Sequence, residues 1–179
     1  MQKTRGYFGI GVERISKPMN VGNLMRSAHA FGASFFFAVD PHRNALAPRS
    51  DTSRSGDHLP LYVWSSVDGM ALPDGCELVG IEYLPDAVEL PSFRHPTRAA
   101  YVLGPERGEL SPEMRARCRH IIRIPTAFCI NVATTGAIVM YDRLRSLGRF
   151  ADRPVRAGGP AEPAPQHVHG DPRKRSASC

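Results

Sequence analysis

The chain of 179 residues is long enough for one domain with a full hydrophobic core and too short for a catalytic unit plus a separate large substrate domain. Its formal charge of +6 is uneven: residues 1–60 and 101–150 each hold eight basic against four acidic residues, while 61–100 hold two against six. Basic flanks around an acidic middle favour a polyanion partner, and with no apolar run near the ~18 residues of a membrane span, a soluble protein without a leader or membrane anchor is expected.

In chain order, apolar runs at 7–12 (YFGIGV), 34–39 (SFFFAV), 61–64 (LYVW), 77–84 (ELVGIEYL), 99–103 (AAYVL) and 120–125 (HIIRIP) predict strands buried on both faces. Helical patterns separate most of them, which predicts an α/β fold with a mainly parallel sheet between helices and ligands at the carboxyl ends of strands. The first helix has Asn20 as its expected N-cap, Val21, Leu24, Met25, Ala28 and Phe31 on one face, Arg26 nearly opposite, and Gly32 as its left-handed stop. A second helix is expected from Ser111-Pro112-Glu113, and a third from about Asn131 to Arg145. The small, apolar start of the third, NVATTGAIVM, predicts burial against the sheet, a partner subunit, or both. Residues 1–150 read as one domain. From 151 onward five of the sixteen prolines and almost no large apolar residues predict a flexible tail with a basic end at Arg173-Lys174-Arg175.

Cys76, Cys118, Cys129 and Cys179 show no CxxC pair or framework spacing, so a reducing cytoplasm is expected and no zinc site. Cys118 and His120 lie two apart without further soft ligands, and His167 and His169 lie in the tail, so no metal is expected. GIGVER (9–14) has Arg14 where a dinucleotide fingerprint needs a third glycine, which argues against a nicotinamide or flavin site. VLGPERGELS (102–111) is an apolar run stopping on glycine, where bare backbone can approach a ligand.

Three segments belong together: PMNVGNLMRSAHAFGA (18–33), VLGPERGELS (102–111) and IPTAFCINVATTGAIVMYDRL (124–144). Their N-x-G-x-x-x-R (Asn20, Gly22, Arg26), L-G-x-E (Leu103, Gly104, Glu106) with Leu110-Ser111, and I-P (Ile124, Pro125) followed by Asn131-Val132 resemble the three motifs of the SpoU/TrmH-type RNA 2′-O-ribose methyltransferases of the SPOUT superfamily, over residues 6–150. Two differences stand out: Cys129-Ile130-Asn131 replaces the common Ser-x-Asn, and Gly108 falls one residue early in the usual G-x-E-x-x-G.

The resemblance implies a C-terminal trefoil knot, a homodimer with its active site completed across the interface, and S-adenosylmethionine (SAM) bound by Ile81, Glu82, Leu103, Gly104, Ile124, Pro125, Cys129, Asn131 and Val132. It further implies a methyl transfer to RNA, tRNA being favoured over rRNA, in which Arg26 contacts the target phosphate and either loses its proton locally or steers a phosphate oxygen or water to the ribose hydroxyl. The alternative role for Arg26 is backbone-phosphate binding alone. Asn20 would orient Arg26 or the phosphate, Glu106 would brace the loops by pairing with an arginine across the dimer, and Asn131 completes the catalytic set. RNA would be gripped by Arg14, Lys17, Arg26, Arg43, Arg49, Arg54 and the tail; segment 49–58 reads equally as a phosphate-contacting loop or a solvated turn. The competing expectation is a knotted RNA-binding or ribosome-assembly protein without catalysis.

Overall fold

The computed structural model describes residues 6–46 and 58–160, so Arg49, Arg54, Cys179 and the tail beyond 160 lie outside the described residues. Every expected apolar run becomes a strand. In chain order the elements are β1 (Tyr7–Glu13), α1 (Pro18–Ala30), β2 (Phe35–Val39), β3 (Leu61–Trp64), β4 (Glu77–Ile81), the two-residue β5 (Val88–Glu89), β6 (Arg98–Leu103), α2 (Pro112–Arg117), β7 (His120–Arg123) and α3 (Val132–Leu147). The sheet runs β3-β2-β1-β6-β4-β7-β5, and each neighbouring pair is parallel. The α/β architecture with a mainly parallel sheet is therefore the one expected.

Each face of the sheet carries its own core. Ile10, Phe36, Tyr101 and Ile122 pack with Leu24 of α1 and Val139 and Met140 of α3 on one face. Phe35, Phe37 and Val102 pack with Met114 of α2 on the other. The edge strand departs from expectation: Leu61, Tyr62 and Val63 are roughly half exposed, because among the described residues β3 has only β2 beside it. Apolar composition predicts a strand but cannot say whether that strand lies at an edge.

Connectivity decides where the site forms. β4 and β5 follow one another in the chain, yet β7 inserts between them, so the chain leaves through β6 and α2 and re-enters a gap it made earlier. That re-entry agrees with the knotted topology the resemblance implies. The register sets Leu103 opposite both Val12 and Ile81, and Ile81 opposite Ile122, which lines up the carboxyl ends of β6, β4 and β7.

The helix ends explain how polar residues reach this edge. α1 starts on Pro18, whose fixed φ suits a first helical position, so Lys17 is the N-cap residue and Asn20 sits inside the first turn. Asn20 is therefore not the cap expected of it; its amide is engaged elsewhere. Gly32 does take the left-handed conformation (φ 73°) after α1. Ser111 caps α2, its hydroxyl accepting from the Met114 N–H at 3.0 Å. Asn131 caps α3, accepting from the N–H groups of Ala133 (2.9 Å) and Thr134 (3.3 Å).

At the far end, α3 is anchored by a side chain the sequence reading passed over. Arg143 is fully buried, donates to the carbonyls of Pro96, Thr97 and Tyr7 and to the Tyr101 hydroxyl, and lies 5.2 Å from the centre of the Phe8 ring. Because those carbonyls belong to the start of β1 and the run into β6, Arg143 fixes the C-terminal half of α3 at the amino edge of the sheet. The N-terminus of α3 is thereby left at the carboxyl edge. Among the described residues no helix is long and apolar enough to cross a membrane.

Candidate active site

A cavity of about 220 Å³ opens at the aligned strand ends. Its walls come from the ends of β4 (Ile81, Glu82, Tyr83) and β6 (Leu103 to Glu106), the segment after β7 (Ile124, Thr126, Cys129, Ile130) and the first turn of α3 (Val132, Thr135). Seven of the nine residues expected to hold a cofactor line it. The two exceptions are Pro125, exposed in the turn, and Asn131, whose side chain points to Asn20 and to the backbone of α3. Sequence reasoning passed over Tyr83 and Thr126, although each adjoins a residue it picked.

Glu82 organises the floor. One carboxylate oxygen accepts from the Leu110 N–H at 2.7 Å and the other from the Tyr83 N–H at 3.1 Å. Tyr83 then donates its hydroxyl to the Thr126 carbonyl at 2.8 Å, tying the β4 exit to the β7 exit. Gly104 is required here by packing: a Cβ on it would stand 3.1 Å from the Leu110 nitrogen and 3.2 Å from the Glu82 carboxylate. The missing side chain thus serves the turn as well as any approach to a ligand.

Beside the cavity Glu106 gathers four donors. It accepts from the Ser16 N–H (3.1 Å) and hydroxyl (2.9 Å), the Lys17 N–H (2.9 Å) and the Asn20 amide (2.9 Å). Burial pushes its carboxyl upward, but the bonds from its own N–H, Asn20 and Ser16 outweigh burial and the net shift is downward, keeping the anion. Asn20 in turn accepts from the Asn131 amide at 3.0 Å. Glu106, Asn20 and Asn131, separated by up to 111 positions, thus form one row ending at the first turn of α3. All four donors belong to Glu106's own chain.

Arg26 does not join this row. It lies six residues after Asn20, a rotation of about 240° around the helix, and is exposed with no hydrogen-bond or ion-pair partner among the described residues. Of the other expected RNA contacts, Arg14 donates to the Glu109 carbonyl at 2.7 Å, and the side chains of Lys17 and Arg43 are exposed. Among the described residues no group of three or more His, Cys, Asp or Glu side chains could hold a metal.

Fold and site together define an α/β protein with a small-molecule cavity at the carboxyl edge of its sheet, where such folds bind ligands. The chain belongs to the SpoU rRNA methylase family, whose model matches residues 8–141. Its fold is similar to that of an AdoMet-bound rRNA methyltransferase from Sinorhizobium meliloti (TM-score 0.69, 21% identity, 82% of this chain and 59% of that one). It is similar also to the SpoU methyltransferase AviRb from Streptomyces viridochromogenes in complex with AdoMet (TM-score 0.65, 23% identity, 80% and 61%). A third similar structure concerns the 2-OH methylation of C/U34 on tRNA (TM-score 0.67, 22% identity, 80% and 97%). The chain spans about 60% of the length of the first two. No curated protein sequence matches it.

Proposed function

We propose that the protein is a SAM-dependent RNA methyltransferase acting on a ribose 2′-hydroxyl, with tRNA as the favoured substrate, working in the cytoplasm as a homodimer. The observation that carries this reading is the row of Glu106, Asn20 and Asn131 beside a cavity at the aligned strand ends, in a chain of this family.

The cavity's own chemistry suits the cofactor. Ile81, Leu103, Ile124 and Val132 offer apolar walls for an adenine ring, and Thr126 and Thr135 add hydroxyls. Glu82 and Glu106 contribute two carboxylates, while the cation among the lining residues, Arg123, is paired with Glu89 at 2.9 Å. Such a lining favours a sulfonium over an anionic nucleotide. When bound, SAM supplies an electrophilic methyl group whose positive charge is lost as the new bond forms, so positioning matters more than stabilising new charge. Glu106, held anionic, fixes the β1–α1 connection against the cavity, and Asn20 and Asn131 transmit that position to α3.

Arg26 stands outside the cavity of its own chain, and the dimer supplies the remedy. Met19, Phe128, Ile138 and Tyr141 are apolar and exposed around α1, α3 and the preceding loop; in the homodimer we propose, a second copy covers them and the Arg26 of one subunit serves the cavity of the other. The planar guanidinium of Arg26 grips the target phosphate and positions the 2′-hydroxyl while steering a phosphate oxygen or water to take its proton.

Incubation with isotopically labelled SAM and unmodified tRNA is expected to label one nucleotide whose 3′ linkage resists alkali. Label on a base would reject the ribose assignment. Cys129 in place of the usual serine favours a second reading, an RNA-binding protein without catalysis, and absence of SAM binding by the folded protein in calorimetry would select it. Arg26→Lys keeps the charge but loses the planar fork. It is expected to lower kcat by at least about tenfold, and an unchanged rate would remove Arg26 from the mechanism.

A further inference from the structure

A second concave surface adjoins the cavity, sharing Pro105 and Gly108 as a common wall. It is lined by Arg14 from the end of β1, His42 from beyond β2, Arg107 at the tip of the 104–111 turn, and Arg115 of α2. Glu109 is the one acid among the lining residues, and its carboxylate is already held by Arg115 at 3.2 Å. Arg107 is exposed with no hydrogen-bond or ion-pair partner among the described residues. Arg14 takes a left-handed backbone conformation (φ 50°), costly for a residue with a Cβ. From there one guanidinium nitrogen reaches the Glu109 carbonyl at 2.7 Å, while its buried Nε has no partner. Three guanidinia and an imidazole thus converge on a concavity holding a single carboxylate.

We infer that this cleft seats a backbone phosphate of the RNA next to the methylation target, with Arg107 and Arg115, neither of them among the residues expected to bind RNA, as its principal contacts. The inference rests on the RNA methyltransferase reading and adds where the chain of the substrate runs. Guanidinium forks match phosphate oxygens, and of the lining residues His42 alone carries a ring on which a base could stack while three carry guanidinia, so the cleft is built for backbone more than for bases. The shared wall of Pro105 and Gly108 sets the seated phosphate directly beside the methyl-donor cavity.

The test uses the full chain and a fluorescein-labelled, unmodified tRNA transcript, with anisotropy titrations between 50 and 200 mM KCl. Both residues stand on the surface, and Arg107→Glu alone serves as a second variant at the exposed loop tip. The double variant Arg107→Gln/Arg115→Gln is expected to bind RNA about tenfold or more weakly, with a log K against log salt slope shallower by about one to two, and to bind SAM as the wild type does. A charge-matched control, Arg98→Gln/Arg149→Gln, removes two exposed arginines from the opposite edge of the sheet. A cleft variant that behaves like this control overturns the inference and leaves the methyltransferase reading intact, because the wild type would still bind SAM and RNA. A wild type that binds SAM but no RNA overturns both.

Discussion

Glu106 shows how much one carboxylate organises. Four donors converge on its two oxygens, two on each, so the loss of either oxygen deprives two of them of their acceptor. Glu106→Gln supplies one acceptor and one NH₂, so at least one donor is stranded. The expected outcome is a loss of about 1–2 kcal/mol in denaturant unfolding, with a larger proportional loss of methylation because Asn20 and Asn131 lose their register. Acid should mimic it: the folded pKa lies below the ordinary value, so the contribution is full above that value and disappears as pH falls through the folded pKa. Asn20, Glu106 and Asn131 were legible in the sequence through the three motifs that carry the family resemblance. Their mutual contacts were not, since separations of 86 and 111 positions are closed only by the sheet order. The Tyr83–Thr126 tie was hidden for the same reason, being set by β7 entering beside β4.

At the scale of elements, periodicity located the strands and helices, and the errors lie where neighbours decide. β3 is apolar yet exposed, and α1 starts at Pro18 while the Asn20 side chain, expected to cap it, bonds to Glu106 and Asn131. The α1–α3 contact is the element pair on which the site depends, and it closes at Gly136. A Cβ there would stand 2.2 Å from Leu24 Cδ1 and 3.3 Å from Ile10 Cδ1. Both side chains are fully buried, so neither can swing aside. Alanine gains about 0.5–1 kcal/mol in helix preference over glycine, but overpacking costs about 1–3 kcal/mol. Gly136→Ala is therefore expected to be destabilising by about 1–2 kcal/mol in urea unfolding. A stabilised variant would show that the two helices are not in close contact.

For the whole molecule, the edge of the sheet away from the cavity carries a second pH response, nearer neutrality than that of Glu106. Arg143 donates to the Tyr101 hydroxyl at 3.3 Å, Tyr101 meets His95 Nδ1 at 2.6 Å, and His95 Nε2 meets Asp142 at 3.0 Å. Donors and acceptors match in this chain only if His95 is neutral, with Nε2 carrying the proton toward Asp142 and Nδ1 accepting from the hydroxyl. Burial lowers the His95 pKa, Asp142 opposes that, and the net shift is downward; the Tyr101 hydroxyl is pushed up to about 12, chiefly by burial, so it remains a donor. Since the folded pKa lies below the ordinary value near 6.5, the unfolded chain takes up this proton first as pH falls. Stability is unaffected well above 6.5, declines as pH drops through it, and levels off below the folded pKa. His95→Gln removes the titration along with the hydrogen bonds, so it should melt below wild type at pH 7.5, and the gap should narrow steadily toward pH 5. A gap that stays constant across that range would mean that His95 charges as readily in the folded protein as in the unfolded chain, and that Arg143 holds α3 to the sheet without it.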